Sequence, residues 1–224
     1  MLHPIPMERG VIFDMDGVLV DSFGPHRDSW LRAASEAGVP MTPEQFAATF
    51  GQTSREIIRR FWGDQLDEAG VRAIDDHKEA LYREMVAQNF PAMDGAHELI
   101  DALRGEGFKL AVGSSGPPEN VQLSIECLGR ASAFDAVVTG RDVSRGKPDP
   151  EVFQLAAERL GLAKSRCVVL EDAPVGVAAA NAAGMVSVAL TGTVGAAELA
   201  DANLVIDSLR ELSPARIEKL LQGD

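Results

Sequence analysis

Cysteine is scarce in this chain: Cys127 and Cys167 are the two among 224 residues. So few cysteines in a chain this long make no disulfide framework, and a reducing compartment is expected. Cys167 lies in the apolar run Cys-Val-Val-Leu, the setting of a small buried thiol, and Cys127 reads the same way. Long apolar runs are also missing. No stretch approaches the roughly 18 uninterrupted apolar residues of a membrane span. The first apolar run is broken by Asp14 and Asp16 with no small-residue cleavage site behind it, so no secretory leader is read and a cytoplasmic protein is expected. Positive charge is in short supply too. Lys and Arg number 21 against 34 Asp and Glu, for a net charge of -13. Such a chain repels phosphate backbones and anionic lipid at long range, so neither nucleic acid nor membrane is expected as a partner. An anionic substrate would have to meet a few locally placed cations. No internal repeat and no low-complexity tract interrupts the chain.

What is present is an ordinary globular composition, 46% apolar and 25% charged, long enough for one sizeable domain or a core with a smaller companion. Short apolar runs mark buried strands at Gly10–Phe13, Phe108–Val112, Ala136–Thr139, Cys167–Leu170 and Val186–Leu190, with a sixth candidate at Leu204–Ile206. Helical patterns separate most of them. One contains Leu99–Leu103 and ends near Gly105–Gly107. Another starts at Asp149-Pro150-Glu151, with Asp149 as N-cap, and stops at Gly161. A third runs from Pro174 to Ala183 and stops at Gly184. Strands alternating with helices predict an α/β fold, a parallel sheet covered on both faces. Between about Gly24 and Phe90 no strand is read. Helices are expected there at Pro25–Ala37, Pro43–Phe50, Arg55–Trp62 and Leu66–Ala87, with Thr42 and Gln45 spaced as a capping box. That segment is too long for one crossover and reads as an inserted helical subdomain. The expected division is 1–23 with 91–224 for the α/β core and 24–90 for the insert.

Parallel sheets bind ligands at the carboxyl ends of their strands. Polar residues that end strands should therefore gather at one rim. Four places qualify: Asp14 and Asp16 after the first strand, Ser114 after the second, Lys147 in a loop after the third, and Glu171-Asp172 after the fourth. Carboxylates this close repel one another and call for a cation. Oxygen ligands suit Mg²⁺, which takes one or two carboxylates together with substrate phosphate and water. Asp14 and Asp172 are the side-chain candidates, and the Asp16 carbonyl is another. A carboxylate can attack phosphorus, while a metal, the Lys147 ammonium and the Ser114 hydroxyl offset the negative charge. A second carboxyl can then protonate the leaving oxygen and activate water. Asp14 suits the first role and Asp16 the second.

The stretches FDMDGVLVDS, VGSSG, GKPDPEVF and LEDAPVGVAAANAAGM resemble, in order, the four motifs of the haloacid dehalogenase superfamily. The resemblance implies a Rossmann-like core with a helical cap inserted between the first two motifs, which closes over the site. It implies Asp14 as nucleophile, Asp16 as acid/base, Ser114 and Lys147 as phosphate-binding residues, and a Mg²⁺ site drawn from Asp14, Asp16, Glu171 and Asp172. The family's dehalogenases and phosphonoacetaldehyde hydrolases typically lack an aspartate at the position of Asp16, so phosphate ester chemistry is favoured. Within the family, the chain is similar to β-phosphoglucomutase and small sugar-phosphate phosphatases. That likeness assigns His26, Arg55 and Lys78 of the cap, and Ser115 beside Ser114, to substrate binding. The mutases carry a lysine and an asparagine shortly after their motif-II serine, where this chain has Ser115-Gly116-Pro117-Pro118. Hydrolysis is thereby favoured over isomerisation.

Plainer readings stand beside these. Asp14 and Asp16 could be turn residues before Gly17, Ser114 a helix cap, Lys147 part of a solvated loop, Lys78 an exposed helix charge, and Arg55 one half of a surface ion pair. Glu171 could support the site without touching a metal. Trp30 and Trp62 read as core, and Ala178–Ala183 as close helix–sheet packing. The expectation is a Mg²⁺-dependent phosphatase acting on a small phosphorylated metabolite, a sugar or polyol phosphate, as a monomer or weak homodimer. A β-phosphoglucomutase-like isomerase and a catalytically idle phospho-ligand binder are the alternatives.

Overall fold

The structure is a computed structural model and describes residues 8–49 and 52–223. The chain divides into two compact units, Met1–Asp21 with Ala92–Asp224, and Ser22–Pro91. The expected borders were 23/24 and 90/91.

The first unit is built on a six-stranded sheet: β1 (Gly10–Phe13), β2 (Lys109–Gly113), β3 (Ala136–Val138), β4 (Cys167–Glu171), β5 (Val186–Leu190) and β6 (Leu204–Ile206). Spatial order is β3-β2-β1-β4-β5-β6 and every pairing is parallel. All residues of β1 are buried, as are all of β4, because helices cover both faces. That is why these strands read as unbroken apolar runs. On one face Ile12, Ala111, Val138, Cys167 and Val169 pack against Val152, Phe153, Ala156, Ala157 and Leu160 of a helix at Glu151–Leu160, and against Ala179, Ala180 and Ala183 near a helix at Pro174–Ala182. The alanines allow close approach, as their run suggested. Cys167 is buried and its thiol is pushed up to about 11 by that burial; both cysteines are free.

The second unit is helical. In chain order the helices of the whole molecule are α1 (Phe23–Glu36), α2 (Pro43–Ala47), α3 (Ser54–Trp62) and α4 (Glu68–Gln88) in this unit, then α5 (Ala96–Gly105), α6 (Pro118–Leu128), α7 (Glu151–Leu160), α8 (Pro174–Ala182) and α9 (Pro214–Gln222) in the first. Among the described residues of Ser22–Pro91 there is no named strand. Its core is Trp30, Ala34, Met41, Phe46, Ile57, Ile58 and Val71, with Trp62 packed against it. The capping box at Thr42 and Gln45 is formed, and Thr53 and Glu56 make a second one.

Several element ends differ from the sequence reading. α1 begins two residues before Pro25, and α4 begins at Glu68, two residues after the expected start at Leu66, because Asp67 caps it by accepting from the Gly70 amide. α2 ends at Ala47, and Phe50, where its end was expected, lies outside the described residues. α7 takes Pro150 as its N-cap. Asp149 stands one residue earlier and accepts from the Glu151 amide at 3.1 Å. No helix among the described residues is long and apolar enough to cross a membrane.

Candidate active site

Register explains why distant residues meet. Phe13 pairs with Val112 on one side and Leu170 on the other. The residues after them, Asp14, Gly113 and Glu171, therefore stand at one level where the strands end, followed by Ser114 and Asp172. Strand order also reverses here. β2 and β3 lie on one side of β1, β4 to β6 on the other, so the β1/β4 boundary is the switch point of the sheet, where an open α/β fold leaves a crevice.

The chain turns sharply at that crevice. The Asp14 amide donates to Leu170 O at 2.9 Å, which ties the end of β1 to β4. After Asp16, Gly17 takes φ +73°. The Leu19 and Val20 amides return to Met15 O at 2.9 and 3.1 Å. Gly17 is required twice over, since a Cβ there would also overlap the Asp172 carboxylate. Ser114 leaves β2 with its amide on Val138 O at 3.0 Å, and its Oγ accepts from the Gly116 amide at 3.0 Å. This is a turn contact four residues ahead of α6; Ser114 does not cap that helix. A Cβ placed on Gly116 would lie 3.2 Å from Ser114 Oγ and 3.9 Å from Asp16 Oδ2, so both side chains flank this glycine. Ser115 is exposed beside them.

Lys147 arrives on an ordered loop. Asp142 accepts from the Thr139 amide and hydroxyl at 2.8 and 2.7 Å and pairs with Arg159 of α7 at 2.7 Å. Glu151, in the first turn of α7, accepts from the Ser144 and Arg145 amides at 3.1 and 2.9 Å. The Lys147–Pro148 peptide is cis. Lys147 Nζ ends 2.7 Å from Asp14 Oδ1 and 2.5 Å from Glu171 Oε1, over the Phe153 ring at 4.9 Å from its centroid. It is no solvated loop charge, since its side chain is 9% exposed. Glu171 uses its other oxygen to accept from the Asp172 and Ala173 amides at 3.0 and 3.2 Å.

Three carboxylates, Asp14, Glu171 and Asp172, offer ligand oxygens that all lie within 4.8 Å of one another, and all three residues are buried. Against them stands the ammonium of Lys147. Burial pushes the Asp14 carboxyl well above its usual range; Lys147 pulls it back, and Glu171, Asp172 and Asp16 push it further. Burial, with Glu171 next, raises Asp172 to about 7. Burial works against the charge on Lys147, but Asp14 and Glu171 outweigh it and hold the ammonium well above its ordinary value. The ion pair favours both charges, and the rise at Asp14 comes from its burial and the other acids. A surplus of buried carboxylate with only oxygen donors fits a hard divalent cation. Asp16 lies outside this cluster of three and is half-buried.

A family model for haloacid dehalogenase-like hydrolases matches residues 8–184. The chain belongs to that family. Validoxylamine A 7'-phosphate phosphatase of Streptomyces hygroscopicus subsp. limoneus is 33% identical over 215 residues, which span 92% of this chain and 96% of the relative. Hexitol phosphatase A of Escherichia coli K12 is 33% identical over 221 residues, spanning 96% and 97%. As a haloacid dehalogenase-like hydrolase with such relatives, the chain is of the phosphoric monoester hydrolase type. The crystal structure of β-phosphoglucomutase from Clostridium difficile superposes with a TM-score of 0.82 at 24% identity, over 97% of this chain and 98% of that one. This last likeness is one of fold.

In this haloacid dehalogenase-like hydrolase the helical unit pairs two of the three residues assigned to it. Lys78 is buried, contrary to the plainer reading of an exposed charge. Its Nζ lies 2.9 Å from His26 Nδ1 and 2.8 Å from Glu79. The His26 ring stacks on Tyr82 at 4.1 Å. Arg55 is exposed and holds Glu68 with both guanidinium nitrogens, at 2.5 and 2.6 Å. Two contributors escaped the sequence reading. Gly176 of α8 presses so closely on Glu171 that a Cβ would overlap the carboxylate; a glycine inside an alanine-rich helix was the signal for it. Thr193, beyond β5, donates its hydroxyl to Asp172 Oδ2, and nothing in its local sequence marks it.

Proposed function

We propose that the protein is a Mg²⁺-dependent phosphatase that hydrolyses a small phosphorylated metabolite, a sugar or polyol phosphate, through an aspartyl-phosphate on Asp14. The observation that carries this reading is the buried cluster of Asp14, Glu171 and Asp172 around the Lys147 ammonium at the switch point of the sheet. A carboxylate in such a place is a nucleophile with its countercharge already beside it. Asp14 attacks phosphorus, and the ester oxygen leaves with a proton from the Asp16 carboxyl. Asp16, now ionised, takes a proton from water, which attacks the phosphorus of the acyl phosphate and restores Asp14. Lys147 and the Ser114 hydroxyl hold the phosphate oxygens. Glu171 keeps Lys147 in place through Oε1 while its other oxygen is spent on two amides. Asp14 and Asp172, with the Asp16 carbonyl, would hold the Mg²⁺, and Glu171 would face it through water. When bound, the ion neutralises the acids and the incoming phosphate.

The substrate class follows the relatives, one acting on a hexitol phosphate and one on validoxylamine A 7'-phosphate by name. His26, Lys78 and Arg55 in the helical segment 24–90, and Ser115 beside Ser114, are the residues assigned to the remainder of the substrate. The protein is tested with Mg²⁺ on a panel of sugar and polyol phosphates, with free phosphate measured. Release from several compounds is expected, and Asp14→Asn should lower it by roughly 10³-fold or more, the order lost when a covalent nucleophile is removed. Retention of turnover by Asp14→Asn refutes the assigned nucleophile. Primer-dependent isomerisation of β-glucose 1-phosphate without phosphate release would make the protein a mutase, and binding without turnover would make it a binder.

A further inference from the structure

The geometry points to Thr193 as a positioning residue for the metal site: its hydroxyl fixes one oxygen of Asp172 so that the other is presented to the cation. This rests on the metal-site reading above and adds a fifth strand end, that of β5, to the four that supply the acids, the hydroxyl and the lysine.

The Asp172 carboxylate is confined on two sides. Oδ2 accepts the Thr193 hydroxyl. The same oxygen lies against the Cα of Gly17, where any Cβ would overlap it, and a Cβ at that position would also stand 3.0 Å from Thr193 Oγ1. Gly17, Asp172 and Thr193 thus form one contact at the mouth of the β1/β4 crevice. A carboxylate otherwise turns readily about its last torsion. A donor on one oxygen and backbone against it remove that freedom, so the remaining oxygen faces one way.

Thr193 is itself held firmly. Two residues earlier, the Thr191 amide donates to Ile206 O at 2.9 Å and its hydroxyl to Asp207 at 2.7 Å, which pins the loop to the end of β6. One residue later, Val194 packs on Val177, Ala189 and Leu199. The hydroxyl is delivered from a loop fixed at both flanks, the condition for orienting a ligand and not merely contacting it. A hydroxyl on a carboxylate ligand has a further effect. It takes up the oxygen that the metal does not use, and partners of this kind are worth 10–100-fold in metal affinity.

The test uses the whole chain and Mg²⁺ itself. Mg²⁺ is titrated while the thermal midpoint is followed, and in parallel while phosphate release is measured at saturating substrate. Thr193→Val keeps the branched shape and removes the donor. It should raise the Mg²⁺ concentration for half-effect about tenfold in both titrations, while kcat at saturating Mg²⁺ and the substrate KM stay within about twofold. Thr193→Ser keeps the hydroxyl and should stay close to the wild type. Wild-type Mg²⁺ response in Thr193→Val, or equal loss in Thr193→Ser and Thr193→Val, overturns the inference while leaving the metal site standing. If the wild type and Asp172→Asn respond alike to Mg²⁺, the metal-site reading fails and this inference with it.

Discussion

Gly176 shows how the site overrides a local preference. It is the third residue of α8, where alanine would ordinarily favour the helix by about 1 kcal/mol. Here the added methyl would overlap the Glu171 carboxylate, which is 1% exposed and already bound to Lys147 and two amides. Forcing a methyl into a filled site costs about 1–3 kcal/mol, so the clash outweighs the helical gain. Gly176→Ala should therefore unfold at lower denaturant concentration than the wild type and release phosphate more slowly, because Lys147 loses its support. A variant more stable than the wild type would show that Glu171 has room to move. The acids themselves were legible from sequence because a carboxylate at the end of an apolar run is conspicuous, and Asp14, Asp16 and Asp172 all sit so. Thr193 was not legible. A threonine in a Gly-Thr-Val loop looks like any other, and only the approach of β5 to β4 gives it a carboxylate to bind.

At the scale of the element, capping chemistry accounts for what was read correctly and what was not. Thr42 and Gln45 announce α2 because the two partners lie three residues apart and need no tertiary help. Thr53 and Glu56 form the same motif at α3, yet this stretch was read for its arginine. Arg55 spends both arms on Glu68, with side chains 58% and 52% exposed. A surface pair of that kind contributes little to stability in water, while loss of a threonine N-cap costs about 1 kcal/mol. Thr53→Ala should accordingly destabilise the protein by about 1 kcal/mol and Arg55→Ala by less, as read from chemical denaturation. If Arg55 also meets the substrate, its alanine variant raises KM severalfold at an unchanged thermal midpoint. An unchanged KM would leave Arg55 a surface partner of Glu68 alone. The end of α7 teaches a related lesson. Asp149 was placed as N-cap because aspartate before proline commonly is one, and the structure moves the cap to Pro150 while Asp149 still takes the Glu151 amide.

The whole molecule holds a surplus of negative charge, and its buried share makes stability depend on pH. Asp172 is raised to about 7, by burial and then by Glu171. Asp14 is raised by burial against the pull of Lys147. Between about pH 4, where these acids ionise in the unfolded chain, and about pH 7, where Asp172 ionises in the folded one, the folded state binds more protons. The contribution of Asp172 therefore falls as pH rises through that window and levels off above it, and the raised Asp14 acts in the same direction. In EDTA the thermal midpoint should drop from pH 5 to pH 8, and Asp172→Asn should reduce the drop. Mg²⁺ needs the ionised acids, so its stabilising effect should be larger at pH 8 than at pH 5. A Mg²⁺ effect that shrinks toward pH 8 would contradict the site. Asp142 acts in the opposite sense: Arg159, then Thr139, hold it down to about 2. Its contribution is present above the ordinary carboxylate range and is lost as pH falls through about 2.

The order of elements, the buried parallel strands, the helical insert and the acids that end the strands followed from the sequence alone. Burial on both faces forces continuous apolar runs, and helices keep their own periodicity and caps. What the tertiary structure decided is who touches whom at the rim. The register of Phe13 with Val112 and Leu170 sets Asp14, Ser114 and Asp172 near one level. The reversal of strand order beside β1 opens the crevice between them. The pinning of the β5 loop brings Thr193 to Asp172. Contacts between residues so far apart along the chain depend on distances that only the folded sheet supplies, so no local pattern could have encoded them.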